Sequence, residues 1–126
     1  MKNLRAKVLY SDKFLDRVGL FFKIGGISLF PFVILREKYR DGSAWWISRS
    51  KKIINHENIH FQQQLELLVI PFYVLYVLMY IWNAIKYGFD IKKAYYQIPF
   101  EQEAFENEKD YKYLTNRKRF NWLKYF

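Results

Sequence analysis

The chain contains no cysteine and only two histidines among its 126 residues. Without thiols it can form neither a disulfide framework nor a thiolate metal site. Any site for a transition metal must therefore use histidine and carboxylate ligands, a donor set that favours zinc. The absence of cysteine also fits a reducing compartment, so we expect a cytoplasmic protein.

Acidic residues are also few, because 12 Asp and Glu stand against 21 Lys and Arg, for a net charge of +9. This balance favours contact with nucleic acid, anionic lipid or acidic substrates, and by itself selects none of them. No known nucleic-acid-binding module is recognisable, so we expect no nucleic-acid partner. Charges between Asp12 and Arg17 interrupt the apolar run that a secretory signal requires, so we expect no signal peptide.

Apolar and aromatic residues are abundant, at 52% and 21% of the chain. This composition is far too hydrophobic for a disordered protein. A chain of this length fits one domain with a modest core, and it contains no linker, internal repeat or low-complexity segment. We therefore predict a single domain over residues 1–126.

Both histidines lie in one short segment, His56-Glu57-Asn58-Ile59-His60, which has the pattern H-E-x-x-H. On a helix, His56 and His60 lie one turn apart on the same face and can bind one Zn²⁺ from the same side. Glu57 is the next residue around the helix, where it can accept a proton from a metal-bound water. The pattern predicts a zinc site with Glu57 as the catalytic base.

A catalytic zinc ion takes three protein ligands and a water, and the histidines are exhausted after two. The third ligand must then be a carboxylate. The acidic residues that could supply it cluster on a predicted helix that begins at Pro99. They are Glu101, Glu103, Glu106 and Glu108.

With these motifs the chain resembles the gluzincins, zinc peptidases in which H-E-x-x-H is joined by a glutamate from a later helix. It is most similar to their smallest members, the minigluzincins, and Glu101-Gln102-Glu103-Ala104 matches their E-x-E-A pattern. The resemblance implies that Glu103 is the third ligand, with Glu101, Glu106 or Glu108 as alternatives. It also implies that Asn107 orients a histidine, although related enzymes have aspartate there. The implied activity is zinc-dependent hydrolysis of a peptide or protein substrate, with one zinc ion per chain.

The predicted fold is α+β and mostly helical, a minimal zincin-like domain with a small antiparallel sheet or hairpin. Its active-site helix begins near Lys52 and packs against the glutamate helix. A β-branched and aromatic run, Ile27–Leu35, predicts a strand, and Pro31 favours an edge position. Ala44–Ser48 could pair back on it as a hairpin. By analogy with zincins, an extended substrate would bind along Ile27–Leu35. The oxyanion donor is left open among Tyr95, Tyr96, Tyr111 and Arg117.

The segment 67–82 contains no charge, and with its extension to 85 it approaches the length of a membrane span. A single span there would put the histidines and the glutamate on opposite sides of a bilayer, which a shared metal ion forbids. We therefore favour a helix buried in the domain, with Pro71 in its first turn. Peripheral membrane association through 67–85 or through the basic, aromatic C-terminus is the alternative.

Two other functions compete with the peptidase interpretation. The chain could be a catalytically idle domain that zinc holds together for interaction with a partner. It could also be a basic protein of membrane surfaces in which H-E-x-x-H is a coincidence. The sequence does not indicate an oligomeric state, a substrate or a cleavage preference.

Overall fold

The chain folds into a mostly helical α+β arrangement with a small sheet, as predicted. A computed structural model describes residues 6–18, 25–40 and 44–126, apart from the side chains of Val18, Arg40 and 44–49. The strands are β1 (Lys7–Tyr10), β2 (Gly26–Leu29) and β3 (Phe32–Leu35). The α-helices are α1 (Asp12–Val18), α2 (Ala44–Glu66), α3 (Ile70–Lys86), α4 (Ile91–Tyr96), α5 (Pro99–Asn107) and α6 (Tyr113–Asn116). Short 3-10 helices cover Glu37–Arg40 and Asn121–Tyr125.

The sheet has the order β1-β3-β2, in which β1 runs parallel to β3 and β2 runs antiparallel to it, so it is mixed and only its β2–β3 hairpin is antiparallel as predicted. The single strand predicted over Ile27–Leu35 is therefore wrong, since this run forms the hairpin of β2 and β3 with a turn at Phe30 and Pro31. The physical reason is that proline has no N–H to continue a ladder and favours a turn. The predicted pairing of Ala44–Ser48 is also wrong, because these residues are the first part of α2.

The core beneath the sheet forms where α2 crosses it. Val33 and Leu35 of the central strand are fully buried and pack in one cluster with Phe61 of α2. The backbone N–H of Ala6, just before β1, donates to Oδ1 of Asn58 at 2.9 Å. The sheet therefore holds one side of α2 in place and leaves the opposite side for the helices that follow.

On that opposite side α2 packs against α5, as predicted for the two site helices. Ile59 of α2 and Ala104 of α5 are both fully buried in the same cluster. Because alanine adds only a methyl group, it allows the two backbones to approach closely. Nδ2 of Asn55 donates to the carbonyl oxygens of Asn107 and Glu108, at 3.3 and 2.8 Å, and so caps the C-terminal end of α5. The helices are thus fixed both along their contact and at one end.

Between α2 and α3 the chain reverses sharply, with Pro71 in the first turn of α3 as predicted. The two helical segments Ser50–Glu66 and Ile70–Lys86 are bent by 113°. The burial that we favoured for α3 holds for one side only, where Phe72, Asn83 and Ala84 are buried. Among the described helices, none alone is long and apolar enough to cross a bilayer. The bent pair taken together has the length and the apolar composition of a span.

Candidate metal centre

The two histidines of the motif project from one face of α2 into the contact with α5. Their ring centroids are 4.9 Å apart, and each residue is 5% exposed. The separation of four residues places them about 40° apart around the helix axis. Their burial inside the protein means that each ring nitrogen needs a partner.

The carboxylate that reaches both histidines belongs to Glu101 in the first turn of α5. Its Oε1 lies 3.2 Å from Nε2 of His56 and 3.1 Å from Nε2 of His60. For a tetrahedral zinc site with bonds of about 2.0–2.1 Å, ligand atoms are separated by about 3.3 Å. These three buried residues form a cluster that could hold a metal ion.

Glu103, the ligand implied by the resemblance, lies elsewhere. Its carboxylate is fully buried and accepts hydrogen bonds from Arg117, at 2.6 Å from Nε and 3.0 Å from Nη2. Glu101 and Glu103 are two residues apart and so point about 200° apart around α5. Only one of them can face the histidines, and the packing of α5 turns Glu101 toward them.

The imidazole of His56 is oriented by a second carboxylate, that of Glu108. Nδ1 of His56 lies 2.8 Å from Oε2 of Glu108. An ionised carboxylate only accepts hydrogen bonds, so Nδ1 must carry the proton. In the neutral ring, the lone pair of Nε2 is then directed at the space between Oε1 of Glu101 and Nε2 of His60. Carboxylate–histidine pairs of this kind fix the tautomer of metal-binding histidines.

A longer chain of hydrogen bonds orients the imidazole of His60. Nε2 of Gln63 donates to Oε1 of Glu103 at 2.8 Å and to the Phe100 carbonyl at 3.2 Å. The amide oxygen of Gln63 must then face His60, whose Nδ1 lies 2.8 Å away. Nδ1 of His60 therefore carries a proton, and in the neutral ring Nε2 presents a lone pair. Glu103 thus sets the tautomer of His60 through Gln63 without approaching the candidate metal site.

The arrangement leaves one buried nitrogen unsatisfied. Nε2 of His60 lies close to Glu101 but has no partner with hydrogen-bond geometry among the described residues. Such an atom is costly inside a protein unless something outside the chain satisfies it. A cation at the point shared by the two Nε2 atoms and Oε1 of Glu101 would do so, and these residues therefore fit a metal ion.

The electrostatics also favour a positive charge at this point. Burial alone would lower the pKa of His56, but hydrogen bonds to Glu101 and Glu108 outweigh it and raise the pKa to about 10. Burial would raise the pKa of Glu101, yet the two histidines hold it well below its usual range. Three carboxylates, including Glu57, act on two imidazoles here. Without a metal ion, protons supply the positive charge that the site demands.

Glu57 is buried beside the cluster but is not part of it. Burial raises the pKa of its carboxyl group, while the charges of His56 and His60 oppose that shift. A carboxylate with a raised pKa is suited to accept a proton near neutral pH. Glu57 lies outside the group of residues whose ligand atoms converge, and its role as the base stays a prediction.

Asn107 and Arg117 have structural partners away from the histidines. Nδ2 of Asn107 donates to the Glu103 carbonyl at 2.9 Å, so its amide caps the end of α5 rather than orienting a histidine. Arg117 is engaged by Glu103 and Glu66. Tyr111 is half exposed, and Tyr96 packs edge-on against Tyr95. Among the oxyanion candidates, Tyr95 interacts with Glu101, which after burial contributes to raising the pKa of its phenol.

Gln63 and Tyr76 were not identified from the sequence, and Glu108 was named there only as an alternative third ligand. Gln63 could have been found, because it lies three residues after His60 and so on the same face of α2. Glu108 follows Glu101 by seven residues, or about two helical turns, which also indicates a shared face. Tyr76 of α3, whose hydroxyl donates to Oε2 of Glu101 at 2.7 Å, carries no such local signal. Its position depends on the reversal between α2 and α3.

Replacing Glu108 with glutamine should weaken zinc binding by about 10- to 100-fold, because an amide orients His56 less firmly and removes a negative charge. Competition with a chelator of known affinity would measure the effect. Glu106→Gln is the matched control, since that side chain is exposed on the same helix and should leave zinc affinity unchanged. Equal affinities for the Glu108 variant and the wild type would show that this carboxylate does not support the site.

In comparisons with known proteins, no family model, curated protein or solved structure matches this chain significantly. The functional argument therefore depends on the geometry and chemistry of the chain's own residues.

Proposed function

We propose that this chain is a zinc-dependent peptidase in which His56, His60 and Glu101 hold the metal ion and Glu57 acts as the base. The observation that carries the proposal is the convergence of two Nε2 atoms and one carboxylate oxygen on a buried point beside Glu57. The assignment keeps the gluzincin-like mechanism that the sequence suggested and changes the third ligand from Glu103 to Glu101.

Each part of the site has a role in hydrolysis. Zinc, when bound, lowers the pKa of a coordinated water from about 15.7 to about 7 and polarises a carbonyl group. Glu57 accepts the proton of the attacking water and later donates it to the leaving amine. Glu108 and Gln63 hold the histidines in the tautomer that presents Nε2. The phenol of Tyr76 donates to Oε2 of Glu101 and so fixes the third ligand.

Metal content and peptide turnover together test the proposal. The purified wild-type protein should contain about one zinc ion per chain and cleave members of a mixed peptide library, with activity lost in chelator and restored by zinc. Glu101→Gln should weaken zinc binding by at least about 100-fold, because a charged ligand becomes a neutral amide. Glu103→Gln should retain a larger share of the zinc affinity. The reverse order of these two variants would refute the ligand assignment.

A second candidate function is that of a domain that zinc holds together and that has no catalytic activity. The low solvent exposure of the site residues favours it. Its histidines and glutamates are nearly inaccessible, with Glu101 only 3% exposed. The backbone edge of β2 is also occupied, since the Ser28 carbonyl accepts from Nε2 of Gln64 at 2.9 Å and the Phe30 N–H donates to the Tyr73 hydroxyl at 3.1 Å. A substrate strand would need these groups.

The two functions differ in one outcome. Both predict one bound zinc ion that Glu101→Gln removes, but only the peptidase turns over peptides. Tyr73→Phe offers a further comparison, because it frees the Phe30 N–H from its acceptor on α3. If opening this edge allows substrate to bind, the variant should cleave library peptides faster than the wild type. Bound zinc with no cleavage by either protein would establish the idle domain.

A further inference from the structure

The side of α3 that faces away from the domain is entirely apolar. Its exposed residues, which we call the apolar face of α3, are Ile70, Val74, Val77, Leu78, Ile81, Trp82 and Ile85. Each is more than half exposed, and together they span an arc of about 140° around the helix. The opposite arc, around Phe72 and Asn83, is buried. Contiguous exposed apolar surface of this kind marks an interaction site.

The charges around this face are mainly basic, with the exposed Asp90 before α4 as an acidic exception. Residues 67–89 contain no aspartate or glutamate. At the C-terminal end of α3, Lys86 is exposed, and α4 brings the exposed Lys92 and Lys93 alongside. Near its N-terminal end, the exposed Lys118 and Arg119 are held close because the next residue, Phe120, donates its N–H to Glu66 of α2. The apolar face is thus flanked by positive charge at both ends.

These features fit an anionic lipid surface better than a bilayer span. As a helix of 17 residues, α3 is about 26 Å long and falls short of the roughly 30 Å hydrocarbon core. Its buried side is also tied to the domain, since Nδ2 of Asn83 donates to the Ala94 carbonyl at 3.1 Å. A helix with one apolar side, flanking lysines and an exposed tryptophan is suited to lie in the plane of the membrane interface.

A second copy of the chain is a poorer occupant of the same face. Two-fold pairing through α3 would bring together the basic ends of chains that each carry a net charge of +9. Such like charges oppose association, whereas acidic headgroups would neutralise them. The charge complementarity therefore selects lipid.

We infer that the apolar face of α3 docks the protein on anionic membrane surfaces, so that the metal site operates beside a bilayer. Docking does not depend on bound zinc or on catalysis. Trp82 and the neighbouring aliphatic side chains enter the interface, while the lysines at the two ends contact acidic headgroups. Tyr76, on the other side of the same helix, remains bonded to Glu101.

Co-sedimentation of the full chain with vesicles tests this inference. Vesicles of equal parts phosphatidylcholine and phosphatidylglycerol should bind the protein, with an affinity that falls as salt rises, and phosphatidylcholine alone should bind it weakly. The double variant Val77→Ser with Ile81→Ser should bind the anionic vesicles at least about tenfold more weakly. Lys86→Gln with Lys92→Gln should weaken binding by a similar factor.

Leu9→Ser is the matched control, because Leu9 is 38% exposed on β1, away from α3, and its loss should change vesicle binding by less than about twofold. Binding to neither vesicle would overturn the inference. Equal binding by the wild type and the Val77/Ile81 variant would also overturn it. Vesicle binding would then be explained by nonspecific electrostatic attraction, without a contribution from the apolar face. A dimer in sedimentation velocity that this variant dissociates would assign the face to a second copy instead.

Discussion

Replacement of Glu57 by glutamine should reduce peptide cleavage by about 10²- to 10⁴-fold, the range expected when a general base is removed. Glutamine has nearly the same shape but cannot accept the proton of the attacking water. Zinc affinity should change little, because Glu57 lies outside the cluster formed by His56, His60 and Glu101. Initial rates on the best library peptide, measured at saturating zinc, would give the ratio.

The matched control for this experiment is Glu106→Gln, which makes the same chemical change on an exposed side chain of α5. Its cleavage rate should equal that of the wild type. If Glu57→Gln loses zinc together with activity, Glu57 coordinates the metal and the proposed division of roles fails. If Glu57→Gln is fully active, another group must be the base.

Replacement of Arg117 by methionine should destabilise the fold by about 3–5 kcal/mol, because it removes one partner from a buried ionic network. Arg117 is 6% exposed and binds Glu103, which is fully buried, through two hydrogen bonds. It also pairs with Glu66 of α2. Without the guanidinium, two carboxylates would stay in the interior with no compensating cation. Urea denaturation in the presence of a chelator would measure the loss without a contribution from zinc binding.

Arg119→Met is the control for this variant, since Arg119 is exposed two residues later and should cost less than about 0.5 kcal/mol. A loss below about 1 kcal/mol for Arg117→Met would contradict the assigned role of the network. The variant should also weaken zinc binding to some degree, because Glu103 orients Gln63 and through it His60. A weaker zinc affinity in this variant would show that Arg117 also helps to orient His60, and does not only stabilise the fold.

The same network predicts a specific dependence of stability on pH. Burial would raise the pKa of Glu103, but hydrogen bonds from Arg117, Tyr113 and Gln63 outweigh it and lower the pKa below the ordinary value of 4.5. A lowered pKa in the folded state contributes stability that is present above pH 4.5 and is lost as the pH falls through the folded value. The free energy of unfolding of Glu103→Gln should therefore fall less steeply below pH 4.5 than that of the wild type. Parallel curves would contradict this.

Much of the helical architecture could be predicted from local patterns. Pro71 and Pro99 correctly indicated helix starts, because proline suits the first turn, where no N–H partner is needed. The sheet could not be predicted in the same way. Gly26–Leu29 and Phe32–Leu35 form two strands, and Lys7–Tyr10 adds a third strand that runs parallel to Phe32–Leu35. This pairing depends on contacts between residues that are distant in sequence.

The sequence by itself determined the residues of the motif and their spacing. A helix of 3.6 residues per turn must bring His56 and His60 to one side and must place Glu57 next to them. It also limited any third ligand of a metal held by these histidines to a carboxylate, because no thiol and no third histidine exists. These conclusions follow from local geometry and from composition, so they needed no knowledge of how the helices pack.

Only the tertiary structure decided which carboxylate approaches the histidines. Glu101 and Glu103 occupy opposite sides of α5, and the rotation of that helix about its axis is set by what its two sides pack against. The buried Arg117 pairs with Glu103, and Glu101 packs toward α2 and accepts a hydrogen bond from Tyr76.

Likewise, the apolar run 70–86 has no pattern of charges to show which side faces outward. The packing of Phe72 and Asn83 against the domain decides it, and leaves the apolar face exposed.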